Sequence, residues 1–219
     1  MRRLALLVCV LAAAAVAAHA EAAPIASLKR SAAVFRAPNI RTWTRQVLPL
    51  RTPLSQQRTS VPVLGRRGGW LHVLLPGRPN GHSAWIQANT ATLSFTPWRI
   101  VIRIQSRRLY VLRNHRIVRS FPVVVGKPST PTPRGRFFVE EALILPPRSP
   151  GSPDAYALSA RSTVYQEFDG GPGQIAIHST YAIGGTLGEA ESHGCIRMAP
   201  AALTWMIRRL GTGTPVDIP

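Results

Sequence analysis

The chain has 219 residues and two cysteines; Cys9 lies in an N-terminal apolar run, so the remainder holds one thiol, Cys195, and no internal disulfide. Stability must then come from packing, and about 200 residues suffice for one adequate core or two smaller ones. The formal net charge of +18 is lopsided: residues 22–139 hold 20 Lys and Arg and no acid, whereas residues 140–219 hold 5 basic and 8 acidic residues.

Met1-Arg2-Arg3 followed by the fifteen apolar residues Leu4 to Ala18, and then Ala18-His19-Ala20, is the pattern of a secretory signal peptide. The run is shorter than the roughly 20 residues of a spanning helix, so residues 1–20 are expected to be removed after Ala20. Cys9 sits too near the N-terminus for a convincing lipid anchor. The localisation expected is extracytoplasmic, secreted or associated with the wall or periplasm. A polycationic half attracts polyanions. Outside the cytoplasm these are anionic wall polymers or lipid headgroups, and no nucleic acid partner is expected. With Lys29 and Lys127 the only lysines, the Arg-rich composition is equally what a biased genome produces.

Residues 21 to about 60 carry Pro24, Pro38, Pro49 and Pro53 among Ser, Thr and Arg, and show no helical period. They read as a partly ordered leader running into short strands. Val61–Leu64, Trp70–Leu75 and Ser83–Gln87 are short β runs separated by the Gly- and Pro-rich turns 65–69 and 76–81, which predicts a small β-barrel. Trp70 and Trp85 are candidates for lining a peptide groove, or simply for the barrel core. Thr96-Pro97 marks a boundary, so a unit over residues 21–95 precedes one over residues 96–219.

After the boundary, Ile100, Ile102 and Ile104 alternate with Arg99, Val101 and Arg103, the period of a half-buried strand. Arg108–Leu112 and Ile117–Val125 follow, joined by Asn114-His115 as a two-residue hairpin turn, so His115 is a turn residue. A stiff loop, 126–135, leads into a strand over 136–140, and 145–153 is an excursion long enough to cover a site. Gln174–Ile177 is an apolar strand ending at His178. Pro200–Leu210 is a helix with Leu203, Met206, Ile207 and Leu210 on one face, Arg208 and Arg209 in its last turn and Gly211 as its stop; Thr214–Ile218 is a short closing strand.

The chemistry gathers in Ile177-His178-Ser179 and Ser192-His193-Gly194-Cys195-Ile196-Arg197. A lone Cys with two nearby His is a candidate nucleophile with its base, because an adjacent imidazole draws the thiol pKa down toward neutrality. A base at a strand end is held by the sheet and projects toward loops. Gly184, Gly185 and Gly188 let the chain double back, so that Cys195, 17 residues on from His178, can meet it. Either His178 or His193 can serve as the base. Gly194 allows close approach of a substrate to the backbone, and the N–H groups of Gly194 and Cys195 are candidates for an oxyanion hole beside His193. Arg197 can grip a carboxylate or pair internally with Glu189 or Glu191; Tyr165 and Tyr181 are candidates for flanking the groove. A zinc site of His178, His193 and Cys195 would lack the second Cys or paired-His motif. A sortase-like Cys-Arg pair is disfavoured because Cys195 and Arg197 are expected to point to opposite faces of a strand.

Two resemblances extend this reading. Gly69-Trp70-Leu71-His72-Val73, Leu75-Pro76-Gly77-Arg78-Pro79-Asn80-Gly81 and Trp85-Ile86 resemble a bacterial Src-homology-3-like wall-associated module over about residues 31–92. Gly126, Thr132-Pro133-Arg134-Gly135-Arg136-Phe137, Ile177-His178-Ser179 and Ser192-His193-Gly194-Cys195-Ile196-Arg197-Met198 resemble the L,D-transpeptidase family of the YkuD type over about residues 97–219. The second resemblance implies a mainly β chain, with the small N-terminal barrel followed by a β-sandwich catalytic domain and one C-terminal helix. It further implies an exported monomer without a cofactor, acting on peptidoglycan stem peptides. Cys195 would form a thioester with release of D-Ala, and the amine of a second stem would take the acyl group. His178 would be the base, oriented by the backbone carbonyl of Ser179. The alternatives are an L,D-carboxypeptidase or crosslink hydrolase, and a non-catalytic cationic wall-binding protein.

Overall fold

A computed structural model describes residues 22–168 and 170–219. The expected signal peptide and Cys9 lie outside the described residues. Strands β1 (Ala23–Leu28), β2 (Ala32–Phe35), β3 (Trp43–Leu48), β4 (Ser60–Arg67), β5 (Trp70–Leu74), β6 (Ser83–Gln87) and β7 (Ala91–Thr96) make one sheet in the order β3-β2-β6-β5-β4-β1-β7. Inward-facing Leu28, Val34, Val61, Leu71, Val73 and Ile86 form its core.

The stretch over 21–60 is therefore not a leader: it supplies three strands, and β1 is hydrogen-bonded to both β4 and β7. Pro38, Pro49 and Pro53 fall between strands, where a missing N–H costs nothing, so a proline count says little about order here. Trp70 meets Phe35 edge-on with ring centroids 5.0 Å apart, and Trp85 stacks on its cross-strand partner His72 at 4.8 Å. Both indoles are spent on neighbours within this sheet.

The remaining elements are β8 (Trp98–Arg103), β9 (Arg108–Arg113), β10 (Arg116–Pro122), β11 (Val125–Gly126), β12 (Gly135–Ile144), β13 (Asp154–Arg161), β14 (Gln174–Ser179), β15 (Ala190–Ser192), β16 (Ile196–Met198), helix α1 (Pro200–Ile207) and β17 (Pro215–Ile218). Eight of the strands form a second sheet in the order β10-β9-β8-β17-β12-β13-β14-β16, and β11 pairs with β15 separately. The class is the one expected, mainly β with one late α-helix. Ile100 and Ile102 are fully buried as their alternation requires, and Asn114 and His115 turn the β9–β10 hairpin with φ of +48° and +61°. The helix stops at Ile207, so Arg208 and Arg209 follow it instead of forming its last turn. Strand β17 does not close an edge; it lies inside the sheet, parallel to β8 and antiparallel to β12.

Two features of β12 bind the sheets together. Phe138 packs into the core of the first sheet, and the buried Glu141 carboxylate accepts the N–H of Leu54 at 3.1 Å and both the N–H and hydroxyl of Ser55 at 2.6 and 2.8 Å. On the opposite side, Leu203 and Met206 press α1 onto the core of the second sheet. Just beyond the helix the Leu210 carbonyl accepts the hydroxyl of fully buried Tyr156 at 2.6 Å. Replacing Tyr156 by Phe would leave that carbonyl without its donor in an apolar setting. A loss of about 1–2 kcal/mol in urea unfolding is expected, and an unchanged midpoint would refute the assignment.

Candidate active site

In β14, Ile175, Ile177 and Ser179 are buried in the core, which turns Gln174, Ala176 and His178 to the other face. Strand β16 runs parallel beside it in the register Ile177↔Ile196, His178↔Arg197 and Ser179↔Met198. Extending that register back one residue sets Cys195 opposite Ala176. His178, Arg197 and Cys195 therefore share one face, with His178 and Cys195 as diagonal neighbours. The expected opposition of Cys195 and Arg197 is incorrect, because residues two apart on a strand point the same way. Both line a cleft of about 470 Å³, together with His178, His193, Tyr165, Phe168, Gln174, Ile183 and Glu191.

His178 is held from behind. Its Nδ1 lies 2.9 Å from the carbonyl oxygen of Ser179. A carbonyl only accepts, so Nδ1 carries the proton and Nε2 is left with a free lone pair. Gly151 backs the ring at φ +83°, where a Cβ would come within 2.9 Å of Nδ1. Its carbonyl accepts the Ser179 N–H at 3.1 Å. The Ser179 hydroxyl donates to the Ser152 carbonyl and accepts the Tyr181 N–H at 3.0 Å. The excursion over 145–153, expected to cover the site, thus braces the imidazole, and none of its residues lines the cleft.

Burial governs the charge state of the pair. It pushes the His178 pKa down; the nearby Arg197 charge adds to this and the Ser179 carbonyl opposes it. Burial pushes the Cys195 thiol up, against the pull of a hydrogen bond with the Ala176 backbone and of Arg197. The resting pair is therefore a thiol beside a neutral imidazole. Desolvation works against the expected drop of the thiol pKa toward neutrality and outweighs both favourable contacts.

Cys195 is presented by a loop tied down at several points. The Ser192 hydroxyl donates to the Cys195 carbonyl at 2.5 Å and accepts the Gly194 N–H at 3.1 Å. Thr132 Oγ1 accepts the Gly126 N–H and donates to the Gly194 carbonyl, both at 2.8 Å, while the Lys127 N–H and Thr130 hydroxyl reach the Ser192 carbonyl at 3.0 and 3.2 Å. Gly194 turns the chain at φ +117°. At Gly126 a Cβ would sit 2.4 Å from the Thr130 carbonyl oxygen, so no side chain fits where this loop crosses the next. Of the two amides expected for an oxyanion hole, that of Gly194 is thus already engaged by Ser192.

The other candidates separate. His193 is exposed on the cleft wall, its Nε2 3.5 Å from the Lys127 ammonium nitrogen. Tyr165 lines the cleft, with its ring 5.7 Å from Phe168 and 6.2 Å from His193. Tyr181 is half exposed and lies outside it. Arg197 forms no ion pair among the described residues: its Nη1 makes only a long 3.4 Å contact to the Gly184 carbonyl, and its buried Nε has no partner. Glu191, one of its expected partners, instead accepts the Thr186 N–H at 2.9 Å. Among the described residues no three His, Cys, Asp or Glu side chains converge as a metal site would require. Sequence reasoning missed Phe168, Ile183, Gly151 and the anchoring hydroxyls of Ser192, Thr130 and Thr132; Gly126 and Thr132 stood in the resembling motif, but without a role.

Residues 97–218 match the family model described as YkuD, L,D-transpeptidase catalytic domain. L,D-transpeptidase 1 of Mycobacterium tuberculosis is 31% identical over 126 residues, covering 54% of this chain and 49% of that protein. The putative L,D-transpeptidase YkuD of Bacillus subtilis is 29% identical over 147 residues, covering 67% of this chain and 73% of that protein. The chain thus spans only about half the length of the mycobacterial relative. A solved L,D-transpeptidase from Mycobacterium smegmatis superposes with a TM-score of 0.44 at 20% identity, covering 71% of this chain and 80% of that one. With a family match over more than half its length, the chain belongs to the L,D-transpeptidase family and carries its YkuD-type catalytic domain.

Proposed function

We propose that the protein is an exported, cysteine-dependent L,D-transpeptidase acting on peptidoglycan stem peptides. The observation that carries this is the shared face of β14 and β16, on which the His178 Nε2 lone pair and the Cys195 thiol open into one cleft. His178 Nε2 takes the thiol proton as Sγ attacks the amide carbonyl before the terminal D-Ala. The C–N bond breaks, the proton passes to the departing amine, and a thioester on Cys195 remains. The amine of a second stem then attacks, giving its proton to His178, and the thiol is restored. Burial disfavours the charged form of each partner, so proton transfer coupled to the attack is favoured over a standing thiolate–imidazolium pair.

The first sheet is assigned as the Src-homology-3-like module, bracing the catalytic sheet through Phe138 and Glu141. Its cations, none of which meets an acid among the described residues, would hold anionic wall polymers; the enzyme acts as a monomer without a cofactor. Arg197 is the candidate for the substrate carboxylate, since it lines the cleft and its charge meets no acid among the described residues.

Three outcomes are expected. Intact-mass analysis with a disaccharide-tetrapeptide shows an acyl adduct and D-Ala release for wild type and neither for Cys195→Ala. A dimer linked between third-position residues marks crosslinking, tripeptide alone marks carboxypeptidase activity, and no adduct with either protein rejects the reading. Arg197→Met raises KM by about ten- to a hundredfold, the loss of a charge-assisted contact; an unchanged KM removes Arg197 from the binding site. The acid limb of kcat/KM has its midpoint below the ordinary imidazole value of about 6.5, because burial lowers the His178 pKa and protonation removes the base as pH falls through that lowered value. A midpoint above 6.5 would assign the base elsewhere.

A further inference from the structure

The wall of the cleft that carries Tyr165 and Phe168 is not held by the catalytic sheet alone. It is a loop over 162–173, closed at its neck by the Ser162 N–H on the Gly173 carbonyl at 2.7 Å. Inside it the Ser162 hydroxyl accepts the N–H groups of Val164 and Tyr165 at 3.2 and 3.0 Å. Three of its carbonyls face away from this internal bonding toward the turn between β5 and β6. There one guanidinium collects them: Arg78 Nη1 donates to Pro172 at 2.9 Å, and Nη2 donates to Ser162 at 2.9 Å and Tyr165 at 2.8 Å.

Two residues on, Asn80 pairs with the backbone of Arg161 in both directions, at 2.7 and 2.8 Å. The Arg161 side chain in turn meets Glu140 at 3.2 Å, and Glu140 accepts Gln174 Nε2, from a cleft residue, at 2.8 Å. Fit at this junction is close: a Cβ on Gly173 would lie 2.2 Å from the Tyr165 carbonyl oxygen and 3.2 Å from Arg78 Nη2. Only a planar, permanently charged fork satisfies three carbonyls from two separated stretches of one loop at once.

We infer that Arg78, contributed by the first sheet, is a positioning residue for substrate binding: it fixes the 162–173 loop and so sets where Tyr165 and Phe168 stand against the donor peptide. It touches neither Cys195 nor His178, so chemistry on a bound substrate is left alone. The module is then part of the binding wall as well as a brace. This rests on the transpeptidase reading above.

The test measures KM and kcat for D-Ala release from a disaccharide-tetrapeptide with wild type, Arg78→Met and Arg78→Lys, alongside alkylation of Cys195 by iodoacetamide and thermal unfolding. For Arg78→Met, KM is expected to rise about tenfold with kcat and alkylation rate within about twofold of wild type. Arg78→Lys, which keeps the charge but reaches fewer carbonyls, recovers part of the loss; if the Met variant does not fold, a KM rise in the Lys variant carries the same meaning. A lowered unfolding temperature with unchanged KM in both variants would reduce Arg78 to a structural brace and overturn the inference, as would a fall in kcat with KM unmoved. If wild type itself releases no D-Ala, it is the transpeptidase reading that fails.

Discussion

The site depends on a short parallel pairing, three residues on each side, between β14 and β16. Parallel strands cannot be joined by a tight turn, so the chain leaves β14 after Ser179, wanders through a Gly-rich excursion, and returns beside itself. That return brings a residue from before the excursion and one from after it onto the same face. A one-residue slip would send Cys195 into the core and Ile196 into the cleft. Fully buried Ile177, Ile196 and Met198 prevent the slip, since each would have to surrender its place in the core. Apolar burial on one face thus sets the position of the reactive groups on the other.

Around this pair the protein spends polar groups on geometry more than on charge. The Ser179 carbonyl selects one imidazole tautomer, and Gly151 leaves room for the ring to be clasped by backbone. Ser192 and Thr132 then fasten the Gly194–Cys195 turn, and Thr130 holds the Ser192 carbonyl just before it. Every one of these contacts is neutral, so none forces the thiol to ionise in advance. The Arg197 charge lowers both pKa values, but burial is the larger influence on each. The outcome is a preorganised but uncharged pair.

The catalytic segment was the most legible part of the sequence, because a Cys, two His and their Gly are chemically conspicuous and their spacing is local. The alternating strands β8 and β9 and the Asn114-His115 turn were equally readable, since period and turn chemistry are written in adjacent residues. Strand β13 was not: its residues are buried almost without interruption, on both faces, and so show no alternation. The strands before residue 60 were hidden by prolines, three of which (Pro38, Pro49 and Pro53) fall between strands and one of which, Pro24, sits within β1. The supports of Cys195 and His178 come from loops 27 to 65 positions away, Ser152 and Gly151 on one side and the 126–132 loop on the other, and hydroxyl-to-carbonyl contacts of that range leave no periodic trace. Tyr181 failed as a groove residue because a position two after β14 lies past the point where the sheet dictates direction.

The placement of β17 bears on the order in which the molecule can be assembled. Its Val216 stands beside Ile100 and opposite Phe137, so the strand ladders of the two halves of the large sheet, β10-β9-β8 and β12-β13-β14-β16, are joined through it. Until residues 215–218 have emerged, each half exposes an unpaired central edge. A chain emerging from its N-terminus therefore completes the first sheet before the second. Through that interval Cys195 is carried on a half-sheet with an open seam, which is when a holding chaperone would matter most.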